Sequence, residues 1–230
     1  MEVTRTLKLW RRQLYSLRSY VPGLRRRHKL ESLVGPLGFW DQLQAYQLRA
    51  VTELGLRPEH ALLDIGCGPL QGGIAFIRYL DRERYVGLDH NPRCIEIGSE
   101  ELSKQRLWAK APRLFLCGDF GDEQLGDAKF DFIWLSQVLY YFDEPTFHKL
   151  FGLAQCRLRP NGIMAGDILG PESDRGFLRD PKPPAHTAES LDGMARTHGL
   201  MVTPIGKLSE FGYPKRLGLS RNVLLKISRI

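Results

Sequence analysis

Residues 62–73 read Leu62-Leu63-Asp64-Ile65-Gly66-Cys67-Gly68-Pro69-Leu70-Gln71-Gly72-Gly73. An apolar run, a carboxylate and a cluster of glycines, in that order, let a ligand approach the backbone and tolerate positive φ. In a doubly wound sheet a turn that follows a buried strand lies at the carboxyl ends of the strands, where ligands bind. Alone, such a turn serves many nucleotides, nicotinamide dinucleotides among them. Three carboxylates narrow the chemistry. Asp64 precedes the glycines at the strand end, which suits a cationic ligand group and disfavours a pyrophosphate at the helix start. Asp89 closes the next apolar run and can accept from both hydroxyls of a ribose. Asp119, in Cys117-Gly118-Asp119-Phe120, can accept from an adenine amino group, with His90 and Phe120 flanking the ring. Each carboxylate also has a structural alternative: Asp64 as a helix N-cap, Asp89 as an Asx-turn before Pro92, Asp119 as a loop residue.

These residues need a scaffold, and the hydrophobic pattern supplies one of alternating strands and helices. Strands are predicted at 61–65, 84–88 (ending on Asp89), 114–117, 130–135 and 163–168. Helices are predicted through 74–80, from Pro92 to about 105, and over 144–158. Pro92 suits a first helical turn. Pro160-Asn161-Gly162 predicts a turn into the fifth strand. A further helix is predicted over about 39–54, capped by Gly55. After Ile168 the pattern changes: residues 170–186 are rich in Pro, Gly and charge, a helix follows over 187–197, and apolar runs at 201–205 and 222–227 end the chain. The fold class is α/β, a doubly wound, mostly parallel sheet with helices on both faces.

In this order the segments resemble the class I, Rossmann-like S-adenosylmethionine-dependent methyltransferases. Residues 62–73 resemble the first motif of that family, and Asp89 stands in the place of its second-strand acid. Asp119 resembles its adenine-contacting acid, and Phe130-Asp131-Phe132-Ile133-Trp134-Leu135-Ser136 its fourth-strand motif. Leu158-Arg159-Pro160-Asn161-Gly162 resembles its L-x-P-G-G turn, with Asn161 in place of the first glycine; Asn also tolerates a left-handed backbone. The resemblance covers about residues 60–168. It implies a seven-stranded sheet whose last strand is antiparallel, with S-adenosylmethionine as cofactor and S-adenosylhomocysteine as product. The cofactor-binding residues it implies are Asp64, Gly66, Gly68, Asp89, His90, Asp119, Phe120 and Ser136. The reaction it implies is in-line attack of a nucleophile on the sulfonium methyl, which leaves the protein to align the partners and exclude water.

The acceptor is less legible. The fourth strand runs into Leu135-Ser136-Gln137-Val138-Leu139-Tyr140-Tyr141-Phe142, without the Asn/Asp-Pro-Pro-Tyr signature of enzymes that methylate base amino groups, so DNA is not expected. Its aromatics either line an apolar acceptor pocket or pack within the following helix. An alcohol acceptor needs a general base. His186 is the first candidate and Asp167 the second, with an exposed loop histidine as the alternative for His186. His148 and His198 read as helix-surface residues. Acceptor-side elements are expected over about 169–219, including Phe211-Gly212-Tyr213-Pro214-Lys215-Arg216. No cluster has metal-ligand spacing, and no Ser/His/Asp set is present.

The net charge of +7 is concentrated in one segment. Residues 1–30 hold nine Lys or Arg against Glu2, whereas the remainder has 24 basic and 25 acidic residues. Within this arm Val3, Leu7, Trp10, Leu14, Leu17 and Val21 mark one face of a helix that Pro22-Gly23 stops. It lies on an anionic membrane, or packs on the body or a second subunit, or contacts nucleic acid. The domain division is 1–38 for arm and connector and 39–230 for the methyltransferase domain. Four cysteines without disulfide or zinc spacing, no apolar membrane span and no secretory leader point to a cytoplasmic protein, peripheral to a membrane if the arm binds one. The function expected is methylation, at oxygen, of a small molecule or a glycan or lipid-linked intermediate. RNA or protein methylation, a non-catalytic S-adenosylmethionine-binding module and a nicotinamide-dependent oxidoreductase are the alternatives.

Overall fold

The computed structural model describes residues 28, 30–120, 122–173 and 185–230. The chain forms two compact units, Met1–Asp41 and Gln42–Ile230. Within the first, residues 30–34 are helical. The buried Glu31 fixes the turn that follows: its Oε2 accepts the Gly38 N–H at 2.9 Å and its carbonyl that of Gly35 at 2.6 Å. The amphipathic arm predicted over residues 1–30 lies outside the described residues, apart from His28 and Leu30.

The second unit is built on seven strands: β1 (Leu62–Ile65), β2 (Tyr85–Asp89), β3 (Arg113–Leu116), β4 (Phe130–Leu135), β5 (Leu158–Ile168), β6 (Leu200–Lys207) and β7 (Val223–Arg229). Their order across the sheet is β3-β2-β1-β4-β5-β7-β6. The first five are parallel, while β7 is antiparallel to both β5 and β6. The helices are α1 (Trp40–Glu53), α2 (Gly73–Tyr79), α3 (Pro92–Lys104), the single turn α4 (Asp122–Leu125), α5 (Glu144–Arg157) and α6 (Ala188–Arg196).

Local chemistry accounts for the boundaries. Every residue of β1 and β2 is buried, which is why both read as mostly apolar runs, with Asp64 next to last in β1 and Asp89 last in β2. Asn91 caps α3 through Arg93 N with Pro92 in the first turn, and Asp143 caps α5 through Thr146 N with Pro145 behind it. At α6, Thr187 and Ser190 bond reciprocally, each side chain accepting the other's backbone N–H.

The fifth strand departs from the expected turn. Pro160-Asn161-Gly162 lies inside β5 as an irregularity: Phe130 pairs with Leu158 but Phe132 with Ile163. Pro160 has no N–H for the ladder, so the extra residues loop out rather than end the strand. Gly162 is needed there, because a Cβ would stand 3.0 Å from the Phe130 carbonyl.

The order reverses at β1, flanked by β2 on one side and β4 on the other. A doubly wound sheet opens its ligand crevice at the carboxyl ends of such a pair. The Gly-rich turn after β1 and Ser136 after β4 both stand there.

Candidate active site

The turn takes the conformations that its glycines allow. Gly66 and Gly68 have φ of +74° and +55°. A Cβ at Gly66 would come within 2.6 Å of Val138 Cγ2, so the turn lies against the segment that leaves β4. Leu70 is also left-handed (φ +66°), although it is a fully buried leucine. On the far side of the turn, Gln44 Nε2 donates to the Gln71 carbonyl at 3.0 Å, and a Cβ at Gly72 would collide with Gln47 Oε1. Helix α1 therefore closes over the turn, with Gln47 Oε1 accepting the Trp134 indole N–H at 3.1 Å.

The carboxylates occupy different environments. Asp64 is buried and accepts the Tyr85 hydroxyl at 2.7 Å. Burial, reinforced by Asp89, pushes its pKa from 3.8 up to about 7, against the lowering effect of Tyr85. Asp89 accepts the Gly68 N–H on Oδ2 and the Asn91 N–H on Oδ1, both at 2.8 Å. The Asx-turn and ligand readings of Asp89 are thus compatible: each oxygen keeps a second lone pair. Asp119 is exposed, with the Cys117 thiol 3.6 Å from Oδ1. Phe120 is left-handed (φ +64°) and stands edge-on to Phe142 at 5.7 Å, while the His90 side chain is exposed. These residues all lie at the ends of β1, β2 and β3, as a nucleoside site requires.

Residues 62–162 match the methyltransferase domain family. Residues 62–162 therefore form a methyltransferase domain. No curated protein matches it in sequence. Among solved structures it is similar to an S-adenosylmethionine-dependent methyltransferase from Clostridium acetobutylicum (14% identity, TM-score 0.61, covering 83% of this chain and 92% of that one). Magnesium protoporphyrin IX methyltransferase from Synechocystis, solved with S-adenosylmethionine, is similar at 15% identity and a TM-score of 0.62, over 93% and 95% of the two chains. A glycopeptide N-methyltransferase complexed with sinefungin shares 13% identity with a TM-score of 0.63, over 81% and 94%. At such identities the likeness is one of fold.

Beside the turn, the end of β4 gathers a buried polar group around Asp167, the second candidate base. Asp167 of β5 is fully buried and has both oxygens engaged, by Gln137 N at 2.6 Å and Asn222 Nδ2 at 2.7 Å. Burial raises its pKa to about 6, against these two donors. Gln137 Nε2 lies 3.5 Å from the Tyr213 hydroxyl, and Tyr213 meets Tyr46 of α1 edge-on at 5.1 Å. Burial and the Asp167 charge raise the phenol pKa values of Tyr46, Tyr140 and Tyr213. Among the described residues, the buried polar atoms without a hydrogen-bond partner include Tyr46 Oη, Ser136 Oγ and Gln71 Nε2.

The two candidate bases stand differently. Asp167 belongs to the polar cluster but has no exposed oxygen. His186 is half-buried, with Nε2 3.1 Å from the Phe142 carbonyl and its ring edge-on to Phe147, and no hydrogen bond or ring contact joins it to Tyr46, Ser136 or Asp167. The aromatic run divides: Tyr140 is buried and Tyr141 is exposed. His148 and His198, read as independent surface residues, face each other with ring nitrogens 3.0 Å apart. Phe211 and Tyr213, expected in an acceptor-side insertion, are both buried. Among the described residues no cluster of His, Cys, Asp or Glu could hold a metal ion, and all four cysteines are free.

Proposed function

We propose that the protein methylates an oxygen atom of a small molecule, or of a glycan or lipid-linked intermediate. In this reading Asp89 receives the ribose hydroxyls, Asp119 the adenine amino group, and His90 and Phe120 flank the ring. Gly66 and Gly68 let the ligand reach the backbone. Asp64 balances the ammonium of the methionine end, and Gln71 Nε2, which has no partner in the fold, donates to its carboxylate. Ser136 stands where the cofactor and acceptor sides meet. The fit rests on features of this chain: a turn whose Gly66 and Gly68 take positive φ, and buried polar atoms without partners near it. When bound, S-adenosylmethionine supplies an activated methyl on a sulfonium, and the chain's own residues align the acceptor and keep water out.

The observation that carries the oxygen reading is the pair of buried, unpartnered hydroxyls of Tyr46 and Ser136 beside Gln137 and Asp167. A hydroxyl can both donate to and accept from another hydroxyl. The test is incubation with 13C-methyl-labelled S-adenosylmethionine and fractionated cell extract. A new methyl resonance in the O-methyl range supports the reading, and one in the N-methyl range overturns it.

The nine basic residues of the arm favour an acceptor held at an anionic membrane. No helix among the described residues is long and apolar enough to cross one. Flotation with anionic but not neutral liposomes, lost on deletion of residues 1–27, is the expected result. Steeply salt-dependent RNA binding lost on the same deletion would instead favour an RNA acceptor.

A further inference from the structure

Tyr46 is 1% exposed, yet its hydroxyl has no hydrogen-bond partner, and the same holds for the buried Ser136 Oγ. Gln137, the residue after Ser136, reaches the Tyr213 hydroxyl at 3.5 Å, and the Tyr213 ring meets that of Tyr46 at 5.1 Å, so both hydroxyls belong to one buried cluster. A buried hydroxyl left unpaired costs stability, so a fold that keeps two together reserves them for a third group. The place suits an acceptor. Ser136 directly follows β4, and the neighbouring Val138 packs where a Gly66 Cβ would be. Tyr46 is held by the Tyr213 ring, and Gln47, next in α1, by Trp134.

The surroundings also select by charge. Asp167, which accepts from Gln137 N next to Ser136, is fully buried and has no Lys or Arg partner among the described residues. A carboxylate or phosphate docking at this junction would meet like charge without a counter-cation.

We propose that Tyr46, together with Ser136, positions the acceptor of this methyltransferase, and that the group they receive is a neutral hydroxyl, alcohol or phenol, rather than a carboxylate or phosphate. The assignment rests on the oxygen reading above and deepens it. Tyr46 and Ser136 hold the acceptor oxygen by its lone pair and its proton, while Asp167, through Gln137, fixes the wall against which it sits.

The experiment uses phenol, benzyl alcohol, benzoate and phenyl phosphate as probes, titrated into the full-length protein by ligand-observed NMR with and without saturating S-adenosylhomocysteine. Phenol or benzyl alcohol is expected to bind, and benzoate and phenyl phosphate at least about tenfold more weakly. Tyr46→Phe should weaken the hydroxyl probe about tenfold, the worth of a hydrogen bond made in a dry site. It should leave the S-adenosylhomocysteine affinity within about twofold. Because the lost hydroxyl has no partner in the fold, the melting temperature should be unchanged or higher. A purely structural Tyr46 would show the opposite: a lower melting temperature and unchanged probe binding. That result, equal binding of benzoate and phenol, or no saturable binding of either hydroxyl probe, overturns the proposal. Failure of S-adenosylhomocysteine to bind wild-type protein would count against the cofactor reading instead, and the probe preference of the ligand-free protein would still decide this one.

Discussion

Gly68 donates its backbone N–H to Asp89 Oδ2 at 2.8 Å, so the Gly-rich turn after β1 is fastened to the carboxylate that ends β2. The residue that would hold the ribose also sets the shape of the loop that would hold the rest of the ligand. Asp89→Ala therefore has two expected effects. The fold should lose about 2 kcal/mol, because two backbone N–H groups lose a charged acceptor. S-adenosylhomocysteine should bind at least about tenfold more weakly, because the ribose hydroxyls lose theirs as well. Thermal unfolding and calorimetry read the two separately. Weaker binding at unchanged stability would show that the turn keeps its shape without Asp89, and unchanged binding would remove Asp89 from the ribose site.

Asp64 should make cofactor binding depend on pH. Its pKa of about 7 in the folded protein lies above its ordinary 3.8, chiefly through burial. A carboxyl whose pKa is raised on folding contributes stability that is fully present below pH 3.8 and lost as the pH rises through 7. Asp167, raised to about 6, acts in the same direction, so in the ligand-free protein both oppose folding near neutrality. The ammonium of a bound ligand favours the ionised carboxylate and reverses the cost at Asp64. Affinity for S-adenosylhomocysteine should rise about tenfold between pH 6 and pH 8, with proton release visible as buffer-dependent heats. Tyr85→Phe removes the hydrogen bond that lowers the Asp64 pKa and should move the midpoint to higher pH. A flat profile in both proteins would place the ammonium away from Asp64.

Leu70 offers a test of stored backbone strain. Its side chain fills a slot between two glycines: a Cβ at Gly73 would stand 2.7 Å from Leu70 Cδ2, and one at Gly98 3.1 Å from Leu70 Cγ. Its backbone meanwhile sits in the left-handed region, which costs a non-glycine residue about 1–2 kcal/mol. Leu70→Ala keeps the strain and opens a cavity, an expected loss of about 3 kcal/mol. Leu70→Gly opens a slightly larger cavity and costs roughly 1 kcal/mol of backbone entropy, but releases the strain. The glycine variant should be at least as stable as the alanine variant, the reverse of the order at an ordinary position. Denaturant unfolding of the pair decides, and a glycine variant clearly less stable than alanine would mean that Leu70 is unstrained.

What the sequence shows and what it hides divides along burial. Strands β1, β2 and β4 were legible because they are covered on both faces and so must be continuous apolar runs. The carboxylates at their ends were legible because a charged residue at the close of such a run calls for a partner or a ligand. Tyr46 was not. In the pattern of α1 it marks the apolar face, and only the packing shows that its hydroxyl is unpartnered. Tyr213 sits in a glycine- and proline-containing stretch that reads as a loop, yet it is 2% exposed because the Tyr46 ring covers it. Asn222 and Asp167 are 55 residues apart, and the antiparallel return of β7 beside β5, not any local motif, brings them together.

His186 carries the last prediction. A carbonyl oxygen only accepts, so the 3.1 Å contact with the Phe142 carbonyl puts the proton on His186 Nε2 and leaves the lone pair on Nδ1. Phe142 in turn stands edge-on to Phe120, which the cofactor reading sets beside the adenine. On that reading His186 would act on the nucleoside end through Phe142 rather than on the acceptor proton. His186→Ala should weaken S-adenosylhomocysteine about fivefold, the worth of one neutral hydrogen bond. Adenosine should weaken by the same factor, since the loss falls on the adenine side. His186→Gln can restore the donor to the Phe142 carbonyl and should recover most of both affinities. A general base would behave otherwise: its removal would leave ligand binding intact, and glutamine would restore nothing. Unchanged adenosine and S-adenosylhomocysteine affinities in His186→Ala would therefore return His186 to the role of proton acceptor.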